Sequence, residues 1–335
     1  MNTDVDARYV LWLFDFLADQ GIDTSALAKQ HELSNLEDLI GSIKGSKHRA
    51  LLLDALHLTH NPGLGLDLGL HRSLATYDQL AYLMMSSSTL RRAIEQGLRY
   101  QNYPGRFSGD AIITDFRDLG DQGCFDVIVR HDLGELRLLA VEELLSNIVA
   151  TSRWVLGKPL PITQLRCDYA MPGHVEKYKT VFDCPVKFDT SSIQLFFNAS
   201  VLDEPLPHAS PQSSRLYASL CKEKSIARTK GTVSAQIAQL IEGSPASSPS
   251  MADIANLLHC SPRTLRRKLQ AEGWQYQQLA DSIRMNRARK ALADPLKPIT
   301  EIAISLGYSD HSGFVRAFKK WTGVSPSEFR KKLFD

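Results

Sequence analysis

Arginines recur at helical spacing in the segment PRTLRRKLQAEG, which begins at Pro262. The polar residues that share one helical face, at i, i+3, i+4 and i+7 spacing, are Arg263, Arg266, Arg267 and Gln270. Leu265 and Leu269 lie four residues apart, and we expect them to face inward. A guanidinium group is a planar fork that can donate two hydrogen bonds to O6 and N7 of guanine. The stripe therefore indicates contact with nucleic acid.

A short helix and a tight turn precede this stripe. Ser250 and Asp253, three residues apart, have the spacing of a capping box ahead of an apolar run. Ser261 followed by Pro262 is typical of an N-cap and a first helical residue. A short helix, a tight turn and a second helix with exposed arginines form the helix-turn-helix arrangement, whose second helix enters the major groove of DNA.

A second pair of helices follows the same plan. The apolar stripe at 299–306 ends at Gly307, and Asp310 can cap the next helix, HSGFVRAFKKW. The residues predicted to face inward are Phe314, Phe318 and Trp321. The residues predicted to face outward are His311, Ser312, Val315, Arg316 and Lys319. Either pair alone also fits an ordinary helical hairpin with a solvated, charged side, but two in tandem with basic outer faces favour DNA binding.

The segment between the two pairs, residues 274–293, contains no Pro or Gly and has helical periodicity. As a helix it would be about 30 Å long. One turn of B-DNA is about 34–36 Å. We therefore expect a linker helix that places the two outward helices in successive major grooves on one side of a duplex.

Charge is unevenly distributed along the chain, although the formal total is only +2. Residues 230–335 carry 16 Lys and Arg against 9 Asp and Glu, a net charge of +7. Residues 1–229 carry 23 against 28, a net charge of −5. The basic C-terminal third suits a polyanionic partner. A solvated basic surface would give the same count.

The 335 residues, 43% hydrophobic and 23% charged, are those of a soluble globular protein with two or three domains. The most apolar early run, YVLWLFDFL, has about half the length of a membrane span. The acidic start, MNTDVDARYV, is unlike a signal peptide. Five scattered cysteines without a C-x-x-C pair predict reduced thiols in the cytoplasm, not disulfides or a zinc site.

Periodicity predicts an α+β domain over residues 1–205, with helical and then mixed patterns. The predicted elements are helices over 5–60, 78–100 and 134–156, and strands at AIITDF, CFDVIVRH, ITQLRCDYA and SIQLFFNAS. A cluster of Pro and Ser residues predicts a linker over 206–229. Residues 230–335 are predicted to form an all-α DNA-binding domain with two helix-turn-helix units joined by the linker helix.

The C-terminal third is very similar to the signature of AraC/XylS-type transcription regulators, in the stretch ITEIAISLGYSDHSGFVRAFKKWTGVSPSEFRKKL. The resemblance implies binding to double-stranded promoter or operator DNA. By position, the base-reading residues of that family fall on Arg263, Arg266, Arg267, His311, Ser312 and Arg316. The predicted DNA phosphate contacts are Ser261, Lys268, Lys319 and Lys320. Gly313 is the main departure, and within a helix it should cost about 0.5–1 kcal/mol relative to alanine.

The upstream region resembles the arabinose-binding-type N-terminal domain of an AraC subfamily that includes ornithine-utilisation-like regulators. Three stretches carry this resemblance: NPGLGLDLG, SSSTLRRAIEQGLRY and YKTVFDCPVKFDTSSIQLFFNASVLDEPLP. It implies a domain that senses a small-molecule effector or self-associates, without defining which residues bind an effector. Tyr100, Tyr103, Arg106 and Trp154 are candidate lining residues, with ordinary packing or surface positions as the alternative.

Other patterns favour structural roles. In GLGLDLG the third glycine stands one position late for a dinucleotide fingerprint and no strand precedes it, so close helix packing is favoured. His57 and His60 have no further ligands that would complete a metal site. Cys184 is the strongest candidate for a reactive thiol, yet a buried packing thiol is favoured. With no G-x-S-x-G, H-E-x-x-H or P-loop pattern, we expect no enzyme, no cofactor and no metal.

The leading hypothesis is a cytoplasmic, ligand-responsive, homodimeric DNA-binding transcription regulator, with RNA polymerase as a further partner if it activates. Two alternatives stay open. One is an effector-independent DNA-binding protein whose N-terminal domain only dimerises, and the other is an enzyme with a DNA-targeting module.

Overall fold

The fold is described from a computed structural model of the chain. It describes residues 5–33, 41–72, 77–100, 111–129, 132–229, 233–242, 249–272, 274–292, 294, 297–308, 310–322 and 324–334. The chain divides into two compact units, Met1–Ser225 and Ile226–Asp335. No described helix is both long enough and apolar enough to cross a membrane.

The first unit combines helices with two sheets. Its elements in chain order are β1 (Val5–Asp6), α1 (Ala7–Asp19), α2 (Ser25–Gln30), β2 (Ser42–Ile43), α3 (Gly45–Thr59), α4 (Leu64–His71), α5 (Gln79–Met85), α6 (Leu90–Arg99), β3 (Ile112–Asp118), β4 (Gln122–Val129), α7 (Leu136–Leu156), β5 (Ile162–Arg166), α8 (Val175–Phe182), β6 (Val186–Lys187), β7 (Ile193–Asn198) and a 3-10 turn at Ala199–Val201. A further helix, α9 (Pro211–Thr229), continues past the division between the units.

The larger sheet has the strand order β3-β4-β7-β5-β6. All neighbouring strands are antiparallel except β5 and β6, which are parallel. β3 and β4 form a hairpin whose turn contains Gly120 at φ +90°, a conformation that favours glycine. The predicted α+β class is confirmed.

Helix α4 packs against the long helix α7 through glycines. A Cβ atom on Gly65 would collide with the carbonyl oxygen of Leu139, and one on Gly69 would collide with the carbonyl oxygen of Glu143. Only glycine allows the two helix backbones to approach so closely. The prediction that GLGLDLG serves helix packing is confirmed.

The prediction that 5–60 is helical holds for α1, α2 and α3, but it missed β1 and β2, which pair there as a two-stranded antiparallel sheet. Strands of two residues are too short to show a period of two, and their ladder forms between distant positions. Helix α8 and strand β6 were also missed. Both are short, and β6 lies at the edge of the sheet, where it pairs only with β5 among the described strands.

Most of the segment predicted to be a linker, 206–229, is helix α9. Pro211 is its first residue, where the missing N–H costs no helical hydrogen bond. The Ser210 Oγ accepts a hydrogen bond from the Ser213 N–H at 3.2 Å, as an N-cap does. The Pro and Ser residues therefore mark the start of a helix.

All the secondary structure described in the second unit is helical. After α9 its helices are α10 (Val233–Glu242), α11 (Met251–Leu257), α12 (Pro262–Ala271), α13 (Tyr276–Leu292), α14 (Ile299–Ser305), α15 (His311–Thr322) and α16 (Pro326–Phe334). Two separate apolar clusters hold them together. One includes Ile254, Leu265 and Ile283, and the other includes Ile302 and Phe314.

The linker helix α13 exists, but it is shorter than predicted. It begins at Tyr276, whereas the sequence predicted a start at Trp274. The N–H of Trp274 donates instead to the carbonyl oxygen of Leu269 at 2.9 Å, which closes the end of α12. Ala293 lies outside the described residues.

Candidate nucleic-acid interface

The first helix-turn-helix unit consists of α11, a turn and α12. The Ser250 Oγ accepts from the Asp253 N–H at 3.2 Å, and the Asp253 carboxylate accepts from the Ser250 N–H at 2.8 Å. The predicted capping box is therefore confirmed. These hydrogen bonds with Ser250 also lower the pKa of the Asp253 carboxyl. In the turn, His259 has φ +50°, which lets the chain reverse before Ser261.

Helix α12 has one buried face and one exposed basic face. Leu265 and Leu269 are at most 1% exposed, because they pack into the cluster that includes Ile254. The exposed polar side chains described on α12 are Arg263, Arg266, Arg267, Lys268 and Gln270. The inward and outward faces are those that the leucine and arginine spacing predicts.

The second unit, α14 and α15, repeats this arrangement. Gly307 takes φ +84° after α14, and the Asp310 carboxylate accepts from the Gly313 N–H at 2.7 Å at the start of α15. Phe314 and Phe318 are fully buried. The exposed side chains of α15 are His311, Ser312, Arg316, Lys319 and Lys320.

One side chain of α15 differs from the predicted faces, because Val315, predicted to face outward, is half-buried. Trp321, predicted to face inward, is half-buried and packs against the cluster that includes Phe314. Val315 lies at the edge of the apolar stripe, where periodicity separates buried from exposed positions least sharply.

Ser261 has a structural task besides its proposed contact. Its Oγ accepts from the Thr264 N–H at 3.1 Å and so caps α12. The four first N–H groups of a helix lack internal partners, and a serine cap supplies one of them with an acceptor. The cap fixes where the arginine stripe begins.

Four arginines of the second unit serve the fold and do not belong to either stripe. The Arg287 guanidinium donates to the carbonyl oxygen of Ile241 at 2.9 Å. The Arg289 guanidinium lies 5.6 Å from the centre of the Phe329 ring. Arg284 forms an ion pair with Asp281, and Arg330 donates a hydrogen bond to the Leu292 carbonyl oxygen. All four are half-buried, so the net charge of the sequence overstates the exposed basic surface.

The first unit contains a cavity bounded by α5, α6, α7 and the β3–β4 hairpin. Leu80, Met84 and Phe125 contribute to its apolar wall, and Tyr77 and Asn147 are among its polar residues. Its free volume is about 90 Å³. One water needs roughly 10–15 Å³ of such free volume, so the cavity has room for on the order of six waters.

Of the candidate lining residues named from the sequence, Tyr100 lines this cavity and Trp154 does not. Tyr103 and Arg106 lie outside the described residues. The sequence analysis missed Asn147 and Thr151, which both line the cavity. A signal existed, since Asn147 and Thr151 lie four residues apart on α7 and therefore share one helical face.

Three cysteines of the first unit do not resemble reactive thiols. Burial raises the pKa of Cys184 to about 11, and it raises the pKa values of Cys124 and Cys167 to about 12. A nucleophilic cysteine needs the opposite shift. Among the described residues, no group of three or more His, Cys, Asp or Glu could hold a metal ion.

Comparison with known proteins accounts for both units. Residues 21–206, more than half of the chain, match the arabinose-binding domain of AraC transcription regulators, and residues 254–332 match a helix-turn-helix domain. The chain is similar to the ornithine utilization regulator of Pseudomonas aeruginosa, with 28% identity over 332 residues. The match covers 98% of this chain and 96% of that relative.

Two further proteins of Pseudomonas aeruginosa are similar. The helix-turn-helix-type transcriptional regulator VqsM is 32% identical over 198 residues, which cover 56% of this chain and 60% of VqsM. The crystal structure of the transcriptional regulator CdpR has a TM-score of 0.49 at 27% identity, and the match covers 99% of this chain and 100% of CdpR.

Two helix-turn-helix units downstream of an α+β domain define a DNA-binding transcription regulator. The chain belongs to the AraC family of transcription regulators, which confirms the resemblance found in its sequence.

Proposed function

We propose that the protein binds its operator through the outer faces of α12 and α15, under the control of a small molecule held by the first unit. The proposed base-reading residues are Arg263, Arg266, Arg267, His311, Ser312 and Arg316. The proposed phosphate contacts are Ser261, Lys268, Lys319 and Lys320.

The main support is that each exposed basic stripe belongs to a helix whose opposite face is fully buried. Leu265 and Leu269 fix α12, and Phe314 and Phe318 fix α15. A helix held by its buried face presents its outer side chains in a defined orientation, which hydrogen bonding to base edges requires.

The length of α13 is compatible with two contacts on one duplex. Its 17 residues give a helix about 26 Å long. Together with a helix diameter of about 10 Å, this approaches the 34–36 Å or so of one B-DNA turn.

We also propose that the protein works as a cytoplasmic homodimer, with RNA polymerase as a further partner. Two chains would present up to four such helices to paired or direct-repeat half-sites. An effector-independent first unit that only dimerises is the alternative. The mainly apolar cavity favours effector control, because a unit that only dimerises has no use for such a cavity.

The test is selection of bound DNA from a random pool by the full chain at about 150 mM salt, where unspecific binding is weak. We expect each half-site to have two parts, about 10–11 base pairs apart. Changing Arg263, Arg266 and Arg267 together to alanine should erase one part of the motif. The matched control is Lys331→Ala, an exposed cation on α16 outside both stripes, which should leave both parts intact. Enrichment without any motif would contradict the proposal.

A further inference from the structure

We propose that the cavity of the first unit is the effector site and that it takes a small, uncharged, mainly apolar molecule with one hydrogen-bonding group. This inference rests on the proposed function, because it identifies the chemistry of the effector. Apolar side chains from three helices and the hairpin form most of the wall, including Leu80, Met84, Ile94, Phe125, Leu144 and Val155. Protein interiors are normally close-packed, so a cavity of this size with a mainly apolar wall suits an apolar occupant.

One side of the cavity is polar. The Tyr77 hydroxyl donates to the Asn147 Oδ1, and the Thr151 hydroxyl lies 3.4 Å from the same oxygen. Asn147 is 4% exposed, so these groups are shielded from bulk solvent. A ligand hydroxyl that reaches Thr151 or Asn147 would be oriented by them, while the rest of the molecule meets apolar wall.

Charged ligands do not suit the described part of this wall. None of the described residues that line the cavity is charged. Arg72 stacks on Tyr77, with its guanidinium 4.5 Å from the ring centre, but it does not line the cavity. Its Nη1 donates to Glu143 at 2.8 Å, and each of the two residues is only 2% exposed. These two charges compensate each other, so an ion in the cavity would lose its hydration without gaining an opposite charge.

Residues of the cavity wall also pack against helix α9. Leu80, Met84 and Tyr100 line the cavity, and the same three side chains pack in the cluster that surrounds Cys221 of α9. Cys221 is fully buried in that cluster. A ligand that touches these three residues therefore acts on the packing of α9.

The start of α9 is attached to the same part of the fold. The Ser210 N–H donates to the carbonyl oxygen of Ser86 at 3.0 Å, and the Leu206 N–H donates to that of Ser88 at 3.1 Å. Ser86 and Ser88 lie in the turn between α5 and α6, which are two of the cavity helices. Because α9 continues to Thr229, past the division between the units, it can carry a change in this packing toward the DNA-binding unit.

The first experiment measures binding of p-cresol and toluene to the full chain by calorimetry, with L-ornithine and L-arabinose as charged and strongly polar comparisons. We expect p-cresol to bind most tightly, toluene more weakly and the other two not at all. Ser152→Met should fill the cavity and weaken p-cresol binding at least tenfold. Arg153→Met, one residue further along α7 and exposed, is the matched control and should change affinity less than twofold.

Two further variants separate packing from recognition. Thr151→Val should weaken p-cresol several-fold and leave toluene unchanged, because only the hydroxyl ligand uses that group. If Ser152→Met fails to fold, Gly97→Leu replaces it, since a Cβ at Gly97 meets only the flexible end of Met84, at 3.4 Å. The proposal is overturned if neither aromatic probe binds, if filling the cavity leaves binding unchanged, or if L-ornithine or L-arabinose displaces p-cresol.

The second experiment measures DNA affinity with and without saturating p-cresol. We expect p-cresol to change the affinity for DNA at least threefold. Tyr217→Ala should abolish this change, because Tyr217 belongs to the α9 cluster. The affinity of that variant for p-cresol should stay within twofold of the wild-type value. A chain that binds p-cresol but selects no DNA motif would refute the proposed function and leave the cavity assignment standing. A chain that selects its motif but binds neither aromatic probe would refute the cavity assignment alone.

Discussion

Arg267 and Arg316 project from the exposed faces of α12 and α15, whereas Lys320 lies near the end of its helix, beside the stripe. Base edges are therefore the expected partners of the two arginines, and a phosphate is the expected partner of the lysine. Arg267→Ala or Arg316→Ala should cost about 1–3 kcal/mol on the selected site and relax preference at one or two base pairs. Lys320→Ala should weaken all sequences about equally and reduce the salt slope by about 1.

Titrations of each variant against selected and scrambled DNA at several salt concentrations distinguish the two roles. Equal losses on both DNAs for Arg267→Ala and Arg316→Ala would show that these residues supply charge and do not read sequence.

His48 makes the first unit sensitive to acid. The ring is fully buried, 5.3 Å from the Tyr9 ring in an edge-on contact, and burial lowers its pKa from the usual 6.5 to about 3. The folded protein thus keeps His48 neutral while the unfolded chain binds a proton below about pH 6.5. Stability is fully present above pH 6.5 and falls as the pH drops toward 3. Between pH 7.5 and 5.0 the titration of His48 should lower the free energy of unfolding by about 2 kcal/mol.

His48→Phe, which preserves the ring contact, should remove that share of the pH dependence. Denaturant unfolding followed by the fluorescence of Trp12 and Trp154, with the two tryptophans of the second unit changed to phenylalanine, measures it. If wild type and the His48→Phe variant lose the same free energy of unfolding between pH 7.5 and 5.0, His48 is not the source of the acid sensitivity.

At the residue scale, sequence spacing predicted side-chain direction in the DNA-binding unit better than it predicted side-chain partners. Leu265 is buried and Arg266 is exposed, as predicted, because the helical period alone determines on which face of a helix a side chain lies. Nothing local showed that Arg287 would donate to the Ile241 carbonyl oxygen, 46 residues away, since that contact depends on how the helices pack.

The N-cap of α12 joins helix stability to DNA binding. Ser261→Ala should destabilise the second unit by about 1 kcal/mol, because the Thr264 N–H loses its acceptor. Ser261→Asp retains a capping oxygen and should restore stability, yet it adds a negative charge on the DNA-facing side and should weaken binding below that of the alanine variant. Urea unfolding and DNA titration of both variants test this. An aspartate variant as unstable as the alanine variant would exclude the capping role.

The elements that the sequence predicted well are those that carry their own signal. Helices α11 and α12 have caps, periodic leucines and a proline at the first position, all within one short stretch. Strands β1 and β2 have two residues each and pair across more than thirty positions, so no local pattern could reveal them. The start of α13 was misplaced because Trp274 has no helix-breaking feature. The N–H of Trp274 donates instead to the carbonyl oxygen of Leu269 in the preceding helix.

At the scale of the whole molecule, the second unit has cores of its own. Both apolar clusters between Val233 and Phe329 consist only of residues from that unit. A fragment of residues 230–335 should therefore unfold cooperatively and bind the selected DNA. Circular dichroism melting and DNA titration measure both properties, with the acidic fragment 1–229 as the control. A fragment that melts without cooperativity, or binds DNA no better than 1–229, would show that the boundary is misplaced.

The first unit is expected to associate with a second copy. Association would bring two pairs of DNA-facing helices to one operator, and it would make operator affinity depend on protein concentration. Sedimentation velocity of the full chain with and without the selected DNA should show a dimer. A strict monomer that protects a single half-site would contradict this expectation.

The two apolar clusters of the second unit share one helix without sharing residues. The first takes Leu279, Ala280 and Ile283 from one half of α13, and the second takes Ala288 and Leu292 from the other half. A mutation that reshapes one helix-turn-helix unit therefore leaves the packing of the other untouched. Operator preference can drift during evolution one half at a time, with the unchanged half keeping the regulator on its promoter while the other acquires a new specificity.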